Sequence, residues 1–403
     1  MRTLLRGARV FDGERLTGRG SVVLDGQSIG REGDDVDEVI DLDGATLLPG
    51  LVDTHQHLVF DGIGTFEEQV APHDDEALRE RAHAHARKAL AAGVTTLRDL
   101  GDRGYVTLGL RGLDDVGTIL CSGPPLTRVQ GHCWYLGGEA DGEEALRAAV
   151  RERTARGCDV VKIMVTGGHG TPGFPMWESQ YTTEEVAAVV GEATRAGLPV
   201  AAHCHGLAGI ESSLAAGVSS IEHCTYIGGP DGRSTPSDDL LDRLTAAGVG
   251  VSVSLGNAPS DLEPPLFVRE NMATLIGAIT GLLDRGAALC IGTDAGIAPP
   301  KPHDVLPWAH VQMTGGGIDA VVSLRAMTAT SAAVVGLGTS KGRLQPGFEA
   351  DVLAVDGDPL TDPGRCCASS GCGTGAAGSS SSTGTERRAA PASAPCSCAA
   401  VTR

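Results

Sequence analysis

The sequence predicts an α/β protein: a (β/α)₈ TIM barrel with a small β-sandwich domain built from both chain ends. Two observations carry that expectation. Short apolar strands alternate with longer helical patterns eight times between Leu47 and Asp294. Strand-like segments also open the chain and recur near residue 350, each too short to fold alone. An open doubly wound sheet is the competing architecture, but no Gly-rich fingerprint follows the first strand of the alternation.

Taken in order, Leu4 to Val10, Ser21 to Leu24 and Glu38 to Leu42 read as short strands separated by Gly and Asp turns, within a first segment 1–50. The barrel is expected over 51–338. Its strands, the first starting just before that bound, are Leu47–His55, Val94–Asp99, Thr118–Ser122, Val160–Thr166, Pro199–His203, Ser219–His223, Gly250–Leu255 and Ala288–Asp294. Between them lie helical stretches Asp75–Ala92, Glu143–Gly157, Thr183–Gly197, Ala208–Gly217 and Asp238–Gly248, many ending in Gly as helix C-caps do. Ser323–Leu337, rich in Ala and Val, reads as a further helix. Residues 339–364 turn at Lys341–Gly347 and return as a strand, Ala350–Val355, to pair with the N-terminal strands. The remainder, 365–403, is dominated by Ser, Gly, Ala and Cys. It has too little to bury to offset its ordering entropy and reads as a disordered low-complexity tail. Cys396 and Cys398 make a weak metal-clip pattern there.

A chain of 403 residues, 41% hydrophobic and 21% charged, suffices for one large core and a smaller one. The formal net charge of −19 is not interrupted by a basic stripe, which argues against nucleic acid or an anionic membrane as partner. No apolar run approaches transmembrane length and no signal peptide is evident, so a cytoplasmic location is expected. The 11 cysteines lack a disulfide-like spacing, and those inside apolar strands are expected to be reduced. The partner expected is a small-molecule substrate, with homo-oligomerisation left open.

The chemistry gathers at the strand ends. His55 and His57 stand at i and i+2, so on a strand both side chains share one face, an arrangement that suits a divalent metal. His203 and His223 end the fifth and sixth strands, Asp294 ends the eighth, and Lys162 sits inside the fourth. Each alone has an ordinary explanation, but in a parallel barrel all these ends converge on one mouth. A buried ammonium among histidines and cations is disfavoured. Its neutral amine can react with carbon dioxide to give a carbamate, whose two oxygens suit a bridge between metals about 3.5–4 Å apart.

With these residues in view, the chain resembles the amidohydrolase superfamily, in particular its binuclear Xaa-Pro dipeptidase and imidazolonepropionase-like group. The resemblance rests on Leu48–His57, Ala92–Asp99, Val161–Met164, Ala202-His203, Ile221–His223, Gly292–Gly296 and the Lys341–Asp358 return. It implies two divalent metal ions, zinc being the expected one. His55 and His57 would bind the first, His203 and His223 the second, and carboxylated Lys162 would bridge them. Asp294 would touch the first metal and shuttle protons for a hydroxide held between the two. His132 matches a Gly-His position in related sequences; it and Tyr226 are candidate substrate-binding residues. His205 lies further out on the His203 face and reads as loop chemistry, and His303 as a residue of the mouth. The departure is at the C-terminus, where the tail stands in place of further strands.

The expected function is metal-dependent hydrolysis of an amide or peptide C–N bond in a small molecule such as a dipeptide or N-acyl amino acid. A cyclic amide, carbamate or urea-type substrate is the alternative within the same chemistry. A catalytically silent scaffold is the non-enzyme alternative, and it would be expected to lose ligands that this chain keeps.

Overall fold

The computed structural model describes residues 1–33, 35–169, 171–367 and 399–401. Both chain ends meet in one sheet. Its strands run in the order Ala399–Val401, Val352–Asp356, Ala45–Pro49, Arg2–Phe11, Leu16–Asp25 and Ser28–Ile29, with Glu38–Asp41 also paired to Arg2–Phe11. Leu5, Ala8, Val10, Val22, Leu24, Leu47 and Val352 form an apolar cluster of its own beneath the sheet. The return strand pairs antiparallel with Ala45–Pro49, from Val352 opposite Pro49 to Asp356 opposite Ala45. Lys341 anchors the turn before it: its buried ammonium lies 2.6 Å from both Glu349 and Asp351 carboxylates.

The stretch expected as one strand, Leu47–His55, is two. Ala45–Pro49 belongs to the terminal sheet, and Leu51–Gln56 begins the parallel strands. Gly50 is the switch. A Cβ there would lie 2.1 Å from the Thr95 hydroxyl oxygen, so only glycine lets the chain cross between sheets at that point.

Two parallel sheets follow. One orders Leu51–Gln56, Val94–Asp99 and Thr118–Cys121; the other orders Leu289–Ile291, Gly250–Val253, Ser220–Ile227, Val200–Gly206 and Val161–Met164. Two isolated parallel bridges pair Leu126 with Ile163 and Gln56 with Ala295. The strands are buried on both faces, as expected of parallel strands flanked by helices. Side-chain caps start four of the helices. Asp74, Ser237 and Asp319 each accept from a backbone N–H of the first turn, and Thr182 with Glu185 closes a capping box. Gly157, Gly217 and Gly248 end three of them in the left-handed conformation, as the sequence pattern predicted.

Several expectations are corrected. Ser323–Leu337 is two helices, Ala320–Ala326 and Ala329–Val334, broken where the Thr328 hydroxyl turns back to the Leu324 carbonyl. A helix at Leu266–Asp284 was not anticipated. It is long and apolar enough to cross a bilayer by length and composition alone. Arg269 and Glu270 near its start interrupt the apolar run and hide it in the sequence. The tail is not wholly without structure: Pro363–Cys367 forms a 3₁₀ turn, with Cys366 and Cys367 buried, and Ala399–Val401 pairs antiparallel with Val352–Ala354. The rest of the expected disordered segment, including Cys396 and Cys398, lies outside the described residues.

Candidate functional site

The first strand carries His55 and His57 to the end of the parallel sheet, with their Nε2 atoms 3.2 Å apart. Asp294 joins them, its Oδ1 3.5 Å from His55 Nε2 and 3.4 Å from His57 Nε2. Close approach of two strands permits this. A Cβ on Gly292 would lie 2.4 Å from His55 Cβ and 2.6 Å from the Ser252 hydroxyl, so any larger residue would push the eighth strand away. The Asp294 amide donates to the His55 carbonyl at 2.7 Å, and Asp294 itself is left-handed at φ 60°. Such backbone in a non-glycine residue concentrates at functional sites.

Ring orientation decides what these three groups can hold. His57 Nδ1 faces the Gly101 carbonyl at 3.1 Å, and His55 Nδ1 faces Glu222 Oε2 at 3.2 Å. Both partners are acceptors, an arrangement that suits a proton on each Nδ1. Two Nε2 atoms and a carboxylate oxygen converge at 3.2–3.5 Å. A tetrahedral ion with bonds of about 2.1 Å spaces its ligands by about 3.4 Å. The donor set fits a divalent cation.

A second set lies beside the first. The strand Val200–Gly206 carries His203 and His205, and Ser220–Ile227 carries His223. Ring centroids are 4.5 Å apart for His203 and His223, 4.7 Å for His203 and His205, and 4.6 Å for His205 and His223. Each spends one ring nitrogen on a neutral partner. His203 Nε2 meets the Gly167 carbonyl at 3.2 Å, His205 Nδ1 the Thr225 hydroxyl at 3.0 Å, and His223 Nδ1 the Ser254 hydroxyl at 2.7 Å. His223 is also left-handed, at φ 67°. The two sets adjoin, His55 and His223 rings standing 5.0 Å apart.

Lys162, on the strand Val161–Met164 in register with Ala201, is fully buried. Its ammonium nitrogen has no hydrogen-bond partner among the described residues. Burial lowers its pKa to about 8, with Glu222 and Asp294 partly opposing. Burial also holds His55, His203 and His223 well below the ordinary histidine value and lowers His57, and Lys162 adds to each. The imidazoles are therefore neutral near pH 7, the form that binds metal. The unpartnered amine stands close enough for its charge to bear on the histidines of both donor sets.

His132 comes to the second set, its ring 4.7 Å from His203 and its Nδ1 2.9 Å from the Thr171 hydroxyl. Tyr226 is buried, and its hydroxyl has no hydrogen-bond partner among the described residues. Burial pushes the Tyr226 pKa up, and Cys224, the neighbour it faces, adds to that. His303 is buried, between Gln56 Oε1 at 3.1 Å and the Phe60 carbonyl at 3.0 Å, and it lines a pocket with His85 and Lys301. Sequence reasoning missed Asp53, Arg98 and Glu222. Asp53 accepts from the backbone of His55 and Thr293 and from the side chains of Gln56 and Thr293, which ties the first strand to the eighth. Burial raises its pKa to about 6 against those hydrogen bonds. A charged residue inside an apolar strand was the available signal for all three.

The model of the amidohydrolase family matches residues 46–371. Ochratoxinase of Aspergillus niger is 28% identical over 353 residues, covering 78% of this chain and 71% of that protein. Imidazolonepropionase of Rhizorhabdus wittichii is 25% identical over 367 residues, covering 86% and 88%. Among solved structures, a Xaa-Pro dipeptidase with methionine bound in its active site superposes with a TM-score of 0.74. It shares 26% identity and covers 91% of this chain and 96% of that one.

Proposed function

The chain belongs to the amidohydrolase family and is an enzyme acting on carbon–nitrogen bonds, and we propose that it hydrolyses the amide bond of a dipeptide or N-acyl amino acid with two divalent ions, zinc in the first instance. The observation that carries this reading is the pair of adjoining donor sets with a buried, unpartnered Lys162 nitrogen whose charge bears on the histidines of both. His55, His57 and Asp294 would hold one ion, His203 and His223 the other, and Lys162 as its carbamate would contribute to both. When bound, such ions lower the pKa of water and polarise a carbonyl. Asp294 does the proton work. Its Oδ1 lies against His55 and His57, while Oδ2 points toward His223 at 4.0 Å. One oxygen can therefore coordinate while the other takes a proton from the attacking water and delivers it to the leaving nitrogen. His132, beside the second set, would meet the substrate; Tyr226 would do so only by turning its hydroxyl from Cys224.

The likeness to the Xaa-Pro dipeptidase supports a dipeptide. The relative named imidazolonepropionase, matched over most of both chains, supports a cyclic amide as the second reading. We read the two parallel sheets as one eight-stranded barrel over 51–338, with the isolated bridges as its seams. Segments 1–50 and 339–364 would form the small β-domain, as a sandwich. A cytoplasmic setting belongs to the same reading; Cys121, Cys133, Cys158, Cys204, Cys224 and Cys290 are buried thiols. So do a small-molecule partner, no nucleic acid or membrane partner, and an open question of homo-oligomerisation. The test is a panel of Xaa-Pro and other dipeptides, N-acyl amino acids, lactams and ureas, with metal content measured on the same sample. Hydrolysis of the first two classes by protein holding about two ions is expected. A panel left intact by fully loaded protein would sink the reading.

A further inference from the structure

Beneath the first donor set lies a fully buried ion pair. Arg98 donates to Glu222 Oε1 at 2.8 Å, and the Ser220 hydroxyl donates to the same oxygen at 2.6 Å. Arg98 is itself fixed by its Nε, which donates to the Thr54 carbonyl at 2.8 Å, one residue before His55. Arg98 is 1% exposed and Glu222 0%. Burial of two charges this deep adds little net stability, because desolvation offsets most of their attraction. A reason for keeping them should therefore be sought in what they hold. Glu222 has one oxygen left. Its Oε2 and His55 Nδ1 have no standard hydrogen bond to any described residue, and they face each other at 3.2 Å.

We propose that Arg98 and Glu222 are positioning residues that hold the His55 imidazole with its proton on Nδ1 and its Nε2 lone pair turned to the first ion site. The inference rests on the two-ion reading above and deepens it. Arg98 fixes Glu222 in direction. Glu222 in turn accepts from His55 Nδ1–H, which leaves Nε2 as the only nitrogen free for a cation. A carboxylate behind a metal-bound imidazole also raises its basicity and hence its hold on the ion. His57 lacks such a group, since its Nδ1 meets only the Gly101 carbonyl. His55 is thus the strong ligand of the pair.

The wild-type protein gives the first test. In metal-free protein with ¹⁵N-labelled histidine, long-range ¹H–¹⁵N spectra should show His55 as the Nδ1–H tautomer; an Nε2–H tautomer would overturn the proposal. The second test removes the pair together, because Glu222→Gln alone would strand the Arg98 charge in the core. In the Arg98→Met/Glu222→Gln variant, zinc competition against a chromogenic chelator should show one of two ions bound about 10–100-fold more weakly and the other unchanged. Melting followed by circular dichroism reports whether the variant is folded. Unchanged affinity for both ions in folded variant refutes the clamp. Wild-type protein that binds no zinc would sink the two-ion reading instead, and the tautomer measurement would still decide the clamp.

Discussion

The two donor sets are built from the same side chain and supported in different ways. Behind His55 stands a carboxylate locked by an arginine, and Asp294 closes the set with a charge of its own. Behind His203, His205 and His223 stand a backbone carbonyl and two hydroxyls, all neutral. Charge-assisted hydrogen bonds are roughly twice as strong as neutral ones. On the two-ion proposal, the difference predicts that the first set keeps its cation more tightly than the second, with Lys162 poised to serve both.

The most damaging change to that arrangement is therefore Lys162→Ala, which should disconnect the sets. Activity should fall by at least the roughly 10²–10⁴-fold of a lost acid–base group. A short carboxylic acid added to the variant should restore part of it by supplying the missing oxygens. Turnover assayed with metal content on one sample checks this, and full activity with both ions bound would remove the bridging role.

Asp294→Asn comes next. It keeps one coordinating oxygen but cannot accept the proton, so kcat should fall about 10²–10⁴-fold while metal content falls modestly. A variant with full occupancy and near-normal kcat would leave Asp294 as a ligand only. The comparison of the sets is then sharpened by stepwise removal of ions. Dialysis against a graded chelator should strip one ion at a concentration about tenfold or more below that needed for the other. His223→Ala should keep the tightly held ion and His55→Ala should lose it, both read by elemental analysis. Simultaneous loss from wild type would break the comparison.

How much of this was legible follows from backbone periodicity. His55 and His57, two residues apart, announced a shared face, and Gly caps marked where helices gave way to strands. Glu222 was not legible as a site residue. Strand alternation sends neighbours to opposite faces, so an inward His223 implied an outward Glu222. The left-handed turn at His223, φ 67°, breaks the alternation and turns both toward His55. His205 was set aside because the fifth strand was expected to end at His203. It runs to Gly206, which makes His205 the next side chain on the same face. The switch at Gly50 was hidden because apolar residues continue on both sides of it, and only the contact with Thr95 reveals the change of sheet.

The smallest effect concerns the metal-free chain and the neutral support of the second set. Burial lowers the His205 pKa to about 3, with the Lys162 charge adding to it, from an unfolded value near 6.5. Below pH 6.5 the unfolded chain therefore binds a proton that the folded chain refuses, so stability falls as pH falls, across the window from about 6.5 to 3. At pH 5 this one residue costs about 2 kcal/mol relative to neutral pH, and the figure hardly depends on the folded value once that lies below about 4. His57 differs: Asp294 and Glu222 both raise its pKa against burial, so the first set softens the same penalty with carboxylates. His205→Gln in ion-free protein should accordingly melt with a shallower pH dependence between pH 7 and 5 than wild type, and His57→Gln should change that slope less. The measurement is Tm at several pH values in the presence of chelator. Equal slopes for wild type and His205→Gln would mean that the folded chain protonates His205 readily, and the claimed contrast between charged and neutral support would lose its electrostatic basis.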